Sequence, residues 1–388
     1  MKISLIQPSR NNLKYLKWSY EAIRKNQGDH EVEICVADDA STDGTWAWCV
    51  ETEKNDPNFK WIRNEGPERL GHTILYDRLI NDVATSDIAM IYHADMYLCP
   101  GALDAIEQEI KPRTIVSLTR IEPPLHPDGP EKILRDFGVE PEEFKEEALL
   151  EFVNNRVPNN DITEGIFAPW AFYREDFQKI GGHDPLYAPQ SKEDSDIFNR
   201  FMLDGVEFVQ TWHGCVYHMT CRGSRRNTVD KAKNIYEDSP EWLAQNMRST
   251  RNFIRKWGHF VMHDALMKPI VPPKYDIGII LDDIGLVEAL EPWCNTIYVK
   301  GDYSEYITKE QPNTLYDLRE RIKPFDNEKN NEILVEVAQS TFTQQDYQVI
   351  QQLSQIIQQQ GEPGRFQLGN IVMEIIQMNE YQNDLINI

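Results

Sequence analysis

The sequence predicts an α/β fold in which a mostly parallel sheet is flanked by helices and is followed by a small C-terminal α/β module. Short apolar runs typical of strands alternate with apolar residues at helical spacing in the N-terminal part. The composition then shifts near residue 269, which indicates a second domain. Strand–helix alternation favours a parallel sheet, because each helix carries the chain back to begin the next strand in the same direction.

The elements of the N-terminal part follow from its apolar pattern. Apolar runs predict strands over residues 2–6, 31–37, 59–63 and 88–92. Helical spacing predicts helices that begin near Leu13, Trp46 and Leu75. We expect Ser41 or Thr42 to cap the second of these helices, since hydroxyl oxygens accept hydrogen bonds from the free N–H groups of a first turn.

Polar side chains follow three of these strands. They lie in residues 9–11, at Asp38 and Asp39, and in the run His93, Ala94 and Asp95. Ligands of open parallel sheets bind at the carboxyl ends of the strands. One acidic group there can accept a hydrogen bond from a base N–H, and another can hold a divalent cation that bridges phosphates. The alternatives are that Asp39 is a turn residue and that Asp95 caps a helix.

The charge and the cysteines exclude several classes of protein. The chain carries 40 Lys and Arg against 63 Asp and Glu, a formal net charge of −23. This argues against a general nucleic-acid binder and against docking on anionic membranes. We expect no membrane span, because no apolar run approaches the roughly 20 residues required, and no signal peptide. Six cysteines without a CxxC pair favour buried thiols in a cytoplasmic protein over structural zinc.

The C-terminal part is more acidic than the rest. Residues 270–388 carry 8 Lys and Arg against 19 Asp and Glu, and a proline-rich linker over 268–276 precedes them. We therefore predict domains over 1–268 and 269–388. Strands are expected at 276–281, 296–299 and 332–337, a helix capped by Thr343, and a strand or helix at 371–376. We interpret Asp282 and Asp283 as part of a solvated turn, which leaves the module without a group of candidate catalytic residues. The module is therefore predicted to mediate homo-oligomerisation or partner docking.

Four segments in order carry a resemblance to a known family. They are IQPSRNN at 6–12, EICVADDASTDGT at 33–45, HAD at 93–95, and the stretch 162–205 that contains GGHD and KEDSD. Together they resemble the family 2 glycosyltransferases, which have the nucleotide-diphospho-sugar (GT-A) fold. The resemblance covers about residues 1–220. It implies inverting transfer of a sugar from a nucleotide-diphosphate sugar, and hence a nucleotide-sugar donor and a divalent metal, Mn²⁺ or Mg²⁺.

The resemblance also implies roles for individual residues. Asp194 matches the catalytic base, with Glu193 beside it, and a helix N-terminus would keep Asp194 ionised. Asp95 matches the last residue of the Asp-x-Asp metal motif. His93 stands at the first position of that motif, as a ligand or as a ribose contact. His218, at the end of a predicted strand, matches a histidine that completes the metal site, with a core histidine as the alternative.

The nucleotide-binding positions are matched less completely. Pro8, Ser9 and Asp39 match the nucleoside site, with Asp38 second to Asp39 for the base edge and Ala94 within the metal motif. An aspartate there favours UDP, because it can read the uracil N–H. Arg78 stands where the family often has an Arg-Asn pair. Arg222 and Arg225 lie in a basic run that either closes on the diphosphate or is a solvated loop.

The acceptor is expected to be a hydroxyl of a glycan or another molecule. Trp170 is either a platform for a sugar ring or a core aromatic, and the insertion 121–161 is expected to wall the acceptor site. Two other functions stay open at this stage. One is a nucleotidyltransferase of the same fold, although IQPSRNN lacks the glycines of its phosphate loop. The other is a non-catalytic protein that binds a sugar or a partner on this scaffold.

Overall fold

The computed structural model describes residues 1–220 and 238–388. The chain divides into two compact units. The N-terminal unit comprises residues 1–244, 263–269 and 388, and the C-terminal unit comprises residues 245–262 and 270–387. The domain boundary predicted at residue 268 stays a prediction, and residues 245–262 lie in the C-terminal unit.

One sheet organises the N-terminal unit. Its strands are β1 (Lys2–Ser9), β2 (Glu31–Asp39), β3 (Phe59–Asn64), β4 (Ile88–Ile91), β5 (Met96–Leu98), β6 (Thr114–Glu122), β7 (Lys132–Leu134), β8 (Ile162–Thr163), β9 (Trp170–Tyr173) and β10 (Glu207–His218). The order is β3-β2-β1-β4-β9-β6-β10-β5, with β7 beside β6 and β8 beside β10. The longer strands pair in parallel, whereas β5, β8 and β9 are short and antiparallel. The predicted mostly parallel sheet is confirmed.

Helices alternate with these strands along the chain. They are α1 (Leu13–Asn26), α2 (Thr45–Asn55), α3 (Gly71–Arg78), α4 (Ala102–Glu109), α5 (Glu146–Asn155), α6 (Arg174–Lys179), α7 (Glu193–Leu203) and α8 (Pro240–Trp257). Helix α3 continues as a π-helical segment, Leu79–Val83. Short 3-10 turns lie at Pro141–Glu143 and Pro185–Tyr187.

The predicted cap of α2 is wrong. Gly44, with φ 92°, stands at the N-cap, and Asp43 accepts the hydrogen bond from the Thr45 N–H. Ser41 instead accepts a bond from the Asn11 N–H, and its own N–H donates to Asp38. These bonds use Ser41 to tie the loop after β1 to the loop after β2.

Trp170 belongs to the core, so the interpretation as a sugar platform is wrong. Its side chain is fully buried. Its ring centroid lies 4.5 Å from that of Phe172, and the ring packs edge-on against Phe198 and Phe201. Trp170 lies on β9, between β4 and β6, and its side chain is on the face of the sheet that α7 covers.

The insertion 121–161 contains the helix α5. The buried face of α5 includes Leu149, which joins a cluster with Phe137 and Tyr217. The partly buried Phe144 stacks on Tyr217 with ring centroids 5.6 Å apart. The insertion therefore packs against β10, and its predicted contact with an acceptor stays a prediction.

The C-terminal unit has a second α/β sheet. Its strands are β11 (Ile277–Leu281), β12 (Thr296–Val299), β13 (Ile322–Pro324), β14 (Ile333–Val337), β15 (Gly364–Leu368) and β16 (Ile371–Ile375), in the order β13-β12-β11-β14-β16-β15. Its helices are α9 (Val287–Leu290), α10 (Ser304–Glu310), α11 (Leu318–Arg321), α12 (Gln344–Gln351) and α13 (Leu353–Gln360). The first four strands of that order are parallel, and β14–β16 and β16–β15 are antiparallel.

Several predictions for this unit are confirmed. Thr343 forms a capping box with Asp346 at the start of α12, and residues 371–375 form a strand. Asp282 and Asp283 are exposed in a bend after β11, and Asp283 accepts a hydrogen bond from the Gly285 N–H, as a turn residue does. No helix among the described residues is long and apolar enough to cross a membrane.

Candidate active site

A cavity of about 370 Å³ opens at the carboxyl ends of β1, β4 and β10. Eight of the residues predicted for the site line it: Pro8, Ser9, His93, Ala94, Asp95, Glu193, Asp194 and His218. The parallel pairing of β1 with β4 sets Ile6 opposite Ile91, so the residues that follow these strands emerge side by side. The sheet therefore brings together polar groups that are far apart in the sequence.

Three of these residues form a cluster that fits a metal ion. The ligand atoms of His93, Asp95 and His218 all lie within 4.8 Å of one another. Strand β10 places His218 opposite Met96, and the Met219 N–H donates to the Asp95 carbonyl at 3.0 Å. Two imidazoles and one carboxylate are ligands that suit manganese and other transition ions.

The electrostatics of the cluster follow from burial and neighbouring charges. Burial lowers the pKa of His93 to about 4, so this ring is neutral and keeps a lone pair. Burial opposes the ionisation of Asp95, but the charge of His218 outweighs it and lowers the pKa of Asp95 to about 2. Burial also opposes the charged form of His218, but Asp95 and Glu122 raise its pKa to about 9. Without an ion, the protonated imidazole compensates both carboxylates.

Two adjacent carboxylates begin α7. Glu193 is buried, and its Oε2 atom has no hydrogen-bond partner among the described residues. Burial and the charge of Asp194 raise the pKa of Glu193 to about 8. Burial also raises the pKa of Asp194, and the charge of His183 partly offsets this. Burial therefore opposes the effect of the helix N-terminus on which the prediction for Asp194 relied.

The comparison of the sequence with protein-family models decides the family. The model of glycosyl transferase family 2 matches residues 4–181. This part of the chain is a family 2 glycosyltransferase domain. Its sheet is thus the predicted GT-A sheet. No curated protein matches the chain at a significant level.

Solved glycosyltransferase structures resemble this domain at low identity. The mannosyltransferase PcManGT from Pyrobaculum calidifontis, in complex with GDP-Man and Mn²⁺, is 17% identical, with a TM-score of 0.40 over 65% of this chain and 69% of that one. TarS from S. aureus, residues 1–349 with UDP-GlcNAc, is 17% identical, with a TM-score of 0.41 over 66% and 67%. GalNAc-T7 with UDP, GalNAc and Mn²⁺ is 12% identical, with a TM-score of 0.46 over 80% and 55%. Because these scores lie below 0.5, the family assignment rests on the sequence match.

The predicted base-edge residues of the glycosyltransferase domain lie beneath the cavity lining. Asp39 accepts hydrogen bonds from the Asn64 side chain and from the N–H groups of Leu70 and Gly71, at 2.8, 3.0 and 2.9 Å. Asp38 is fully buried and accepts from the Ser41 N–H at 3.0 Å. Among the residues that the structure describes, neither aspartate lines the cavity. Both hold the loops around it, and their contact with a base stays a prediction.

The arginines of the domain are distributed differently from the prediction. Arg78 is exposed on α3 and does not line the cavity in the described part of the chain. Arg10 and Arg69 line it instead, and the Arg69 guanidinium lies 3.7 Å from Asp39 Oδ2. Arg222 and Arg225 lie outside the described residues, so their predicted contact with the diphosphate stays a prediction.

Sequence reasoning missed several groups of this site. His72, Tyr76 and His126 line the cavity, and Glu122 contacts His218 from behind. His72 and Tyr76 lie in α3, which begins at Gly71, four residues before the start that the apolar spacing predicts, so His72 stood in a segment expected to be a loop. Glu122 ends a strand, as Asp39 does, and the same reasoning about strand ends applies to it.

Proposed function

We propose that the glycosyltransferase domain transfers a sugar, with inversion, from a nucleotide-diphosphate sugar to a hydroxyl of a glycan or another acceptor. The donor is a UDP-sugar, and a divalent metal assists the reaction. One observation carries the proposal: a set of transition-metal ligands and a pair of carboxylates line the same cavity. Hexosyl or hexosaminyl transfer in glycan biosynthesis is the expected reaction class.

The leaving nucleoside diphosphate must be neutralised as its bond to the sugar breaks. His93, Asp95 and His218 would hold the ion, which supplies positive charge to the diphosphate oxygens. Arg10 and Arg69 line the same cavity and offer forked donors to phosphate. Pro8, Ser9 and Ala94 provide the wall for the nucleoside. Ser9 Oγ is buried without a hydrogen-bond partner among the described residues, which leaves a polar atom available to the donor.

The acceptor hydroxyl must lose its proton to a base. Both carboxylates of the adjacent pair line the cavity, and burial raises the pKa of each. The charge of His183 partly offsets this for Asp194, and the position of Asp194 in the first turn of α7 supports its anion. We therefore assign Asp194 as the base, with Glu193 beside it.

The proposal extends to the location of the protein and to its partners. We place the enzyme in the cytoplasm, which is supported by the buried, unpaired thiols of Cys35, Cys49, Cys99, Cys215 and Cys294. The C-terminal module over 269–388 serves homo-oligomerisation or docking, and no nucleic acid is a general partner. The charge and the composition of the chain support the proposed location, the proposed role of the module and the exclusion of nucleic acid.

A panel assay tests the proposed function. The protein is incubated with Mn²⁺ and single nucleotide sugars, and release of nucleoside diphosphate and thermal shift are followed. We expect one UDP-sugar to be hydrolysed slowly and to raise the melting temperature only with the metal. Release of pyrophosphate from a nucleoside triphosphate would indicate a nucleotidyltransferase. No response to any nucleotide would contradict the transferase proposal.

Substitution of the base tests the mechanism. Asp194→Asn should lower transfer at least about a hundredfold, because general-base catalysis contributes about 10²–10⁴ in rate. Nucleotide binding, measured by titration calorimetry, should persist. Glu207→Gln removes an exposed carboxylate that pairs with Lys111 and should leave transfer unchanged. Full activity of Asp194→Asn would remove it as the base.

A further inference from the structure

Glu122 contacts a residue of the metal cluster from outside the cavity lining. Its carboxylate is 2% exposed, and Oε1 lies 2.9 Å from Nδ1 of His218. We propose that Glu122 is a positioning residue of the metal site: it accepts a hydrogen bond from the Nδ1–H of His218 and thereby turns Nε2 toward Asp95. The inference rests on the proposed function, in which His218 is a metal ligand.

The backbone fixes this pair. Strands β6 and β10 run in parallel with Ile121 opposite Tyr217, so the next residues, Glu122 and His218, leave the sheet side by side. Strand β7 pairs with the other side of β6, with Leu134 opposite Glu122. A carboxylate held between two neighbouring strands can orient an imidazole more narrowly than a carboxylate on a loop.

The surrounding charges determine which nitrogen carries the hydrogen. Lys132 Nζ lies 3.2 Å from Glu122 Oε2, and Arg120 Nη1 lies 3.5 Å from Oε1. Both oxygens of the Glu122 carboxylate thus face nitrogen donors, so Glu122 acts as an acceptor toward its neighbours. Nδ1 of His218 must therefore be the donor, and in the neutral form of the ring, which is the form that binds a metal ion, Nε2 carries the lone pair.

That lone pair points into the cluster. Nε2 of His218 lies 3.4 Å from Asp95 Oδ1, and the His218 ring centroid is 5.7 Å from that of His93. A carboxylate behind a ligating histidine fixes its tautomer and raises its basicity, and its loss typically weakens metal binding by 10–100-fold. Glu122 has the chemistry and the position for this role.

Direct measurement of Mn²⁺ affinity tests the inference without relying on activity. Free Mn²⁺ is titrated by electron paramagnetic resonance against the wild type, Glu122→Gln and Glu131→Gln. Glu131 is a matched control, because it is also buried and lies 3.5 Å from the same Arg120, but its described contacts do not include His218. We expect Glu122→Gln to weaken Mn²⁺ binding about 10–100-fold and Glu131→Gln to bind as the wild type does.

Repeating the Glu122→Gln substitution in a His218→Ala protein separates a positioning role from a general loss of structure. In His218→Ala, the added Glu122→Gln change should cause no further loss of affinity, because both substitutions remove one interaction. A further loss would contradict the positioning role. If Glu122→Gln does not fold by circular dichroism, Glu122→Asp replaces it, with weaker Mn²⁺ binding again expected because the shorter side chain withdraws the oxygen. Equal affinity in the folded variant and the wild type would overturn this inference alone, whereas no Mn²⁺ binding by the wild type would overturn the proposed function.

Discussion

In the proposed metal site, His93 would influence which ion binds best. An aspartate at this position, as the family motif has it, would give the ion two carboxylates, whereas His93 and His218 give it two nitrogen ligands and leave only Asp95 as an oxygen ligand among the three. Mg²⁺ takes oxygen ligands, and imidazole suits transition ions better than it suits Mg²⁺. The burial that lowers the pKa of His93 to about 4 keeps this ligand neutral across the physiological range.

Replacing His93 should therefore change the choice of metal. We expect the wild type to bind Mn²⁺ or Co²⁺ at least about tenfold more tightly than Mg²⁺. His93→Asp should narrow this ratio, because it exchanges a nitrogen for an oxygen ligand. Thermal shift against each ion measures it, with His263→Asp as an exposed control that should leave the ratio unchanged. A ratio unaffected by His93→Asp would place His93 outside the metal site.

Site residues that follow an apolar run could be predicted from the sequence. Contacts that depend on how two strands pair could not. Asp95 and His218 each follow an apolar run, which a single segment reveals. Glu122 also ends a strand, but its contact with His218 follows from the register of β6 against β10, and the two residues are 96 positions apart in the sequence. Trp170 shows the same limit, because an aromatic in the core and an aromatic on a sugar site have the same local sequence pattern.

At the scale of elements, the start of α3 is tied to the loop before α7. Gly71, with φ +78°, begins α3, and its N–H donates to Asp39. A Cβ atom on it would lie 2.1 Å from the Pro189 carbonyl oxygen. The neighbouring Gln190 and Ser191 line the cavity just before Glu193. A side chain at position 71 would therefore displace one wall of the site.

Gly71→Ala should destabilise the domain and weaken nucleotide binding. The positive φ costs about 1 kcal/mol, and the clash with backbone adds to it, so we expect a loss of about 2–4 kcal/mol. Gly361→Ala is the matched control, since Gly361 also has a positive φ of +68° but nothing within 4 Å of the added Cβ. Calorimetric melting and nucleotide titration compare the two. A Gly71→Ala protein that melts no lower than Gly361→Ala would show that the loop moves freely.

Long strands can be predicted because their apolar residues extend over several positions. Such runs predict β1, β2 and β4, and the structure extends β1 to Ser9 and β2 to Asp39. Strands β5, β7 and β9 have three or four residues each, too few to show a period of two. These short strands form because a neighbouring strand has backbone groups available to pair with them. The sequence of the short segment does not show which strand that neighbour is.

At the scale of the whole molecule, charge governs how stability depends on pH. A chain with a formal charge of −23 repels itself increasingly as its lysines lose their protons. Lys274 acts against this trend within the C-terminal unit. It is 7% exposed and donates to the Arg255 carbonyl at 3.2 Å, and burial lowers its pKa to about 7.

The sign of the Lys274 contribution follows from proton linkage. The folded pKa is about 7 and the ordinary value is 10.5, so between these values the unfolded chain binds more protons. The free energy of unfolding therefore gains from this residue as the pH rises from 7 to 10.5, and burial of the charged amine destabilises the fold most below pH 7. One pKa unit corresponds to about 1.4 kcal/mol, so the full effect is on the order of a few kcal/mol.

Lys274→Met should therefore stabilise the protein near pH 7 and lose that advantage toward pH 10. Denaturant unfolding of wild type and variant across this pH range measures the difference between their free energies of unfolding. The general charge repulsion is the same in both proteins and cancels in that difference. Lys309→Met, which removes an exposed amine paired with Glu288, should keep the pH profile of the wild type. A difference between wild type and Lys274→Met that does not shrink with rising pH would mean that the amine of Lys274 keeps its ordinary pKa of 10.5 in the folded protein, as an amine that reaches water does.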